Sequence, residues 1–112
     1  MKLEAGDIVL LPFPHTNLKA GKKRPALVLT GLEYNGNSMD VVLAFVTSQR
    51  QSGEWSVGVT NDDLDHGALV KPSWVRVDRL ATVEQRLVQG IVGRLKPNVF
   101  GVVRGKLSNL LM

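Results

Sequence analysis

The chain has 112 residues, 44% of them hydrophobic, with no cysteine and a formal net charge of +4. That length suits one compact core over residues 1–112 rather than two ordinary domains, and the lack of cysteine excludes a disulfide scaffold, a thiolate-held metal and a thiol nucleophile. No apolar run approaches the about 18 residues of a membrane span, and Met1 to Leu11 lacks the basic-then-apolar order of a secretory leader, so the expectation is a cytoplasmic chain that makes no membrane contact.

The charge is uneven. Lys71 to Met112 carries eight Lys and Arg against Asp78 and Glu84, a net of +6, which leaves −2 for residues 1–70. A second basic cluster runs from Lys19 to Arg24, and together the two could frame a groove for a polyanion if folding brings them together.

In chain order, Asp7 to Phe13 (DIVLLPF) is a short apolar run containing Pro12, which suits a strand near a sheet edge or one that ends at a bend. Pro14 to Arg24 is polar and reads as a long loop. Pro25 to Thr30 is a second strand, Asn35-Gly36 a tight-turn signal, and Asp40 to Thr47 (DVVLAFVT) a third strand that would form a hairpin with the second. Trp55 to Thr60 alternates as a fourth strand, and Asn61 to Gly67 reads as an acidic turn. Trp74 to Leu80 alternates cleanly, which places Trp74, Arg76, Asp78 and Leu80 on one side and Val75, Val77 and Arg79 on the other. Arg86 to Leu95 predicts a turn into a last strand, with Gly90 and Gly93 marking a bend or a close backbone approach. Pro97 opens a helix carrying Val99, Val103, Leu107, Leu110 and Leu111 at helical spacing, weakened by Gly101 and Gly105. Five or six short strands and one closing helix predict a small, strongly curved sheet or barrel.

Several chemistries have no support. Asp62, Asp63, Asp65 and His66 match neither a zinc helix nor a calcium loop, and capping of a turn by Asp side chains accounts for them; no metal site is expected. Neither the nucleophile elbow GxSxG nor the phosphate loop GxxxxGK occurs. What remains is Arg and Asp on strands, near small hydroxyls. Arg76 and Asp78, two apart, can address one phosphate together or simply pair with each other. Thr47 and Ser48 end the third strand, where hydroxyls can donate to a phosphate or bond a turn.

Taken in order, GDIVLLPF from Gly6, RPALVLT from Arg24, VVLAFVTS from Val41, KPSWVRVDRLATV from Lys71 and IVGRL from Ile91 resemble the MazF/PemK (Kid-like) toxin endoribonucleases over nearly the whole chain. The resemblance implies a mainly β, SH3-like barrel of the CcdB/MazF-like toxin fold with a C-terminal helix. It also implies a homodimer that cuts single-stranded RNA without a cofactor and is held inactive by a cognate antitoxin. Carried over by position, Arg24, Thr47, Arg76 and Asp78 would be catalytic, while Lys22, Lys23, Ser48, Ser73 and His15 would contact RNA. The first loop, PHTNLKAGKK, departs from the best-known members in length and composition, and His15 lies within it.

RNA brings its own nucleophile, the ribose 2′-hydroxyl, so the protein must supply a base, a donor for the leaving 5′-oxygen and positive charge for the phosphorane-like transition state. Asp78 fits the base, Arg76 the donor, and Arg24 with Thr47 the phosphate. Two rivals differ in what they require. A CcdB-like gyrase-inhibiting toxin has no use for that set of four, and a non-catalytic RNA-binding barrel would stack bases on exposed aromatics, of which the whole chain has only six.

Overall fold

The computed structural model describes residues 1–12 and 23–112. Its elements are β1 (Asp7–Pro12), β2 (Lys23–Val28), α1 (Leu32–Gly36), β3 (Asp40–Thr47), β4 (Ser56–Val59), β5 (Leu64–Gly67), β6 (Ser73–Glu84), β7 (Gly90–Leu95) and α2 (Pro97–Leu110). Among the described residues the seven strands make one antiparallel sheet in the order β4-β6-β3-β2-β1-β7-β5.

That order forces the sheet to curl. β4 and β5 follow each other in sequence yet occupy opposite edges. Six strand spacings laid flat would separate those edges by about 29 Å, whereas the five Cα steps from Val59 to Leu64 can reach at most about 18 Å. The sheet therefore closes toward itself as a half-barrel. One core fills its inner side, built from Ile8, Leu27, Val46, Val57, Val59, Leu64, Val75, Val77 and Leu95, and α2 seals it with buried Val103 and the half-buried Val99 and Phe100. A second core lies on the other face, where Val9, Leu11, Ala26, Val28, Val41 and Leu43 pack under Leu3 and Val88. Burial on both faces explains why β3 reads as an almost unbroken apolar run.

Where β5 passes β7, the backbones nearly touch. Gly67 has φ +87°, and a Cβ there would overlap the Val92 carbonyl; a Cβ on Gly93 would come within 2.9 Å of the His66 carbonyl oxygen. The close approach foreseen at Gly93 is thus real, while the space beside Gly90 is open. Pro25 sits where its missing N–H costs nothing, because the β2–β3 ladder begins only at Ala26.

Four sequence expectations change. The count rises from five or six strands to seven, because the supposed acidic turn from Asn61 to Gly67 is a 3-10 turn over Asn61–Asp63 followed by β5. Asp63 caps that turn, accepting the Thr60 amide at 2.8 Å. β2 and β3 do pair, but Asn35-Gly36 lies in α1 rather than in a tight turn. Buried Asn35 donates to the Leu3 carbonyl at 2.9 Å and to the Thr30 carbonyl at 2.8 Å, and these tertiary partners override the local turn preference. Finally, β6 is longer than predicted, running from Ser73 to Glu84, and its two halves face different ways.

Candidate active site

The change of face in β6 comes from a bulge. Arg76 stands opposite Phe45 on β3, but Leu80 stands opposite Ala44, so Val77, Asp78 and Arg79 are extra residues with no partner on β3. Ala44 belongs to the inner core and Phe45 packs against the outer one, so Arg76 and Leu80 point to opposite faces. The simple alternation that grouped them is broken by the bulge. Asp78 rides on it, exposed beside the half-buried Arg76.

The pair is bidentate. Arg76 Nε donates to Asp78 Oδ1 at 3.0 Å and Nη2 to Oδ2 at 3.1 Å. A third group joins them, since Arg76 Nη1 donates to Gln51 Oε1 at 3.2 Å. Asp78, through its hydrogen bonds and charge, raises the Arg76 pKa above its ordinary value. In return the Arg76 hydrogen bond and charge hold the Asp78 carboxyl below the usual range. At neutral pH the carboxylate is ionised and can accept a proton, while the guanidinium holds its own firmly.

Thr47 and Arg24 approach from the same face. Thr47 stands opposite Trp74, one alternation beyond the Phe45–Arg76 pair, and its Oγ1 accepts the Gln49 amide at 3.1 Å. Arg24 stands opposite Leu11 of the outer core and is exposed. Two residues past the last β2–β3 pair, the same register brings Arg24 level with Thr47. Among the described residues no side chain bonds the Arg24 guanidinium. Lys23 and Ser48, next to Arg24 and Thr47, are exposed, but alternation along β2 turns Lys23 to the face opposite Arg24. Ser73 is not brought to this site: it is buried on the inner face opposite Val59, with its hydroxyl donating to the Lys71 carbonyl at 3.0 Å. His15 and Lys22 lie outside the described residues.

One residue on this face, Gln51, was missed by the sequence reading, since a Gln in a polar loop carries no signal. Trp74 was placed beside Arg76 by alternation, and its half-buried indole lies across Gly58, the residue opposite it on β4, which leaves room by having no side chain.

Among the described residues no three His, Cys, Asp or Glu side chains cluster to hold a metal ion, and no helix is long and apolar enough to cross a membrane. The family described as PemK-like, MazF-like toxin of type II toxin-antitoxin system matches residues 4–111. The chain belongs to this family. No curated protein matches its sequence. Among solved structures, this MazF-like toxin is similar to MazE-MazF from Deinococcus radiodurans, at 28% identity and TM-score 0.79 over 99% of this chain and 96% of the other. MazF alone from the same organism matches at 28% identity and TM-score 0.76, covering 99% and 97%. An endoribonuclease in complex with its cognate antitoxin from a mycobacterial species shares the fold at 16% identity and TM-score 0.79, covering 97% and 94%. The mainly β half-barrel with its C-terminal helix is therefore the MazF-like toxin fold.

Proposed function

We propose that this MazF-like toxin is an endoribonuclease that cleaves single-stranded RNA through attack of the 2′-hydroxyl, with no metal or other cofactor. The observation that carries this reading is the placement of Arg76, Asp78, Thr47 and Arg24 on one rim of the sheet, within a chain of this family. The four groups supply a base, a donor, a hydroxyl and a cation where a phosphodiester can meet them together.

The chemistry balances around the Arg76–Asp78 pair. Asp78 takes the 2′-hydroxyl proton as O2′ bonds to phosphorus, and the P–O5′ bond breaks as Arg76 donates to the leaving oxygen. Arg24 and the Thr47 hydroxyl stabilise charge on the non-bridging oxygens. In the free protein the pair opposes this reaction, because Arg76 weakens Asp78 as a base and Asp78 strengthens Arg76's hold on its proton. An arriving phosphate competes for the guanidinium, loosening its grip on Asp78 and making that carboxylate more basic when substrate is present. The proton gained by Asp78 returns to Arg76 across their hydrogen bond, which resets the site. The products are a 2′,3′-cyclic phosphate and a 5′-hydroxyl.

The solved MazE-MazF and antitoxin-bound relatives support a cognate antitoxin as the physiological partner, acting on a cytoplasmic homodimer whose protomer is a single domain. An acidic antitoxin segment with interspersed apolar residues would cover the same basic rim and exclude RNA. The test is incubation of purified protein with a mixed RNA pool, with and without EDTA, followed by sequencing and end-group analysis of the cuts. Cleavage that survives chelation and leaves 5′-hydroxyl ends supports the reading; intact RNA, 5′-phosphate ends or dependence on a divalent ion overturns it.

A further inference from the structure

The segment between β3 and β4 has an unusual path. Both strands pair antiparallel to β6, one on each side, so they run parallel to each other and residues 48–55 must cross over β6. They cross on the face that carries Arg76, as the Gln51–Arg76 bond shows. The crossing is anchored at both ends. Thr47 Oγ1 accepts the Gln49 amide at its start, and at its end the Val77 amide donates to the Trp55 carbonyl at 2.9 Å, one step beyond the last β4–β6 pair. Lys106 Nζ on α2 donates to the Glu54 carbonyl at 2.7 Å, and Gln51 Nε2 donates to the Gln49 carbonyl at 3.1 Å, which fixes which end of the Gln51 amide faces Arg76.

We infer that Gln51 is a positioning residue for Arg76, the acceptor by which the crossing segment holds the guanidinium in place while phosphate displaces Asp78 from it. This inference rests on the RNA-cleaving reading and deepens it. The donor count supports it: of the five guanidinium N–H groups, Asp78 takes two and Gln51 one, which leaves one on Nη1 and one on Nη2 for a substrate oxygen. Asp78 alone cannot hold the orientation through the reaction, because its carboxylate becomes a neutral acid when it takes the 2′-hydroxyl proton. Gln51 does not titrate, so its grip is the same before and after proton transfer.

The test uses the whole protein and two variants, Gln51→Met, which keeps the length of the side chain and removes the acceptor, and Gln51→Glu, which keeps an acceptor oxygen. Misplacing a reacting group by about 1 Å can cost about 100-fold, so Gln51→Met should lose about 10- to 100-fold in kcat on a short oligonucleotide with KM nearly unchanged. Gln51→Glu should recover most of it. The second readout needs no RNA: in nitrogen-15 spectra the Arg76 Nη1–H signals, the ones Gln51 holds, should be resolved in the parent and broadened by exchange or rotation in Gln51→Met, while Nε–H stays bonded to Asp78. A loss confined to KM, failure of Gln51→Glu to rescue, or an Arg76 signal unchanged by Gln51→Met would overturn the positioning role. If the parent itself left RNA intact, the nuclease reading would fall, and the Arg76 signals would still decide whether Gln51 holds the guanidinium.

Discussion

Two Arg–carboxylate pairs in this protein use the same groups to opposite ends. Arg94 Nε donates to Asp7 Oδ1 at 2.7 Å across the β1–β7 ladder, and its Nη2 reaches Glu4 Oε2 at 2.8 Å. The Asp7 side chain is 0% exposed, and its second oxygen accepts the Glu4 amide at 2.8 Å. Arg76 and Asp78, by contrast, are neighbours on one strand and exposed by 26% and 34%. The first pair ties together elements almost ninety positions apart in the chain and has no oxygen left to offer. The second ties nothing distant except Gln51, and water or a phosphate can reach both partners. Arg94 is 31% exposed, much like Arg76, so it is burial of the carboxylate, rather than the identity of the residues, that separates the structural pair from one available for chemistry.

The contrast can be broken most severely at Arg94. Arg94→Ala leaves the Asp7 carboxylate buried without its cation, and breaking a buried pair in that way should cost on the order of 3 kcal/mol in urea unfolding. A variant as stable as the parent would show that Asp7 is satisfied by the backbone alone. On the other side, Arg76→Ala and Arg24→Ala should each lower RNA cleavage by about 10²-fold, as loss of one transition-state donor does, with melting nearly unchanged. A folded Arg24→Ala protein cleaving at the parental rate would place the centre elsewhere.

A finer comparison concerns protons. Because Arg76 lowers the Asp78 pKa in the folded protein, the pair adds stability that is present above the unfolded carboxylate pKa and lost as pH falls through the folded one. In Arg76→Ala the Asp78 midpoint, followed by carboxyl carbon-13 shifts, should therefore climb toward about 3.9. The smallest effect is expected from Glu4→Gln, which removes only the half-exposed arm of the Arg94 network and should cost about 0.5 kcal/mol. A cost matching that of Arg94→Ala would mean that Glu4, rather than Asp7, anchors the arginine.

Much of the fold could be read in the chain before its structure. β3 is marked by its β-branched run from Asp40 to Thr47, and α2 by Pro97 with the apolar spacing that buries Val103. Arg24, Thr47, Arg76 and Asp78 were grouped through the family resemblance, position by position, whereas alternation along β6 alone left Arg76 and Asp78 open to a plain surface pair. What stayed hidden depends on distant partners. Asn35 leaves its turn for the Leu3 carbonyl, 32 residues away. Gln51 acquires its role only because a crossover lays it on Arg76, 25 residues on. Leu80 changes face because β3 skips three residues of β6, an event that alternation within β6 cannot register.

The link from Val59 to Leu64 that curls the sheet also has a kinetic meaning. It joins the two outermost strands, so neither edge can fray far without pulling on the other. Among the described residues β4 pairs only with β6 and β5 only with β7, yet their fates are coupled through four residues of chain. In hydrogen exchange the amides of these two strands, far apart in pairing order, should open as one cooperative unit ahead of β1, β2 and β3, which are paired on both sides.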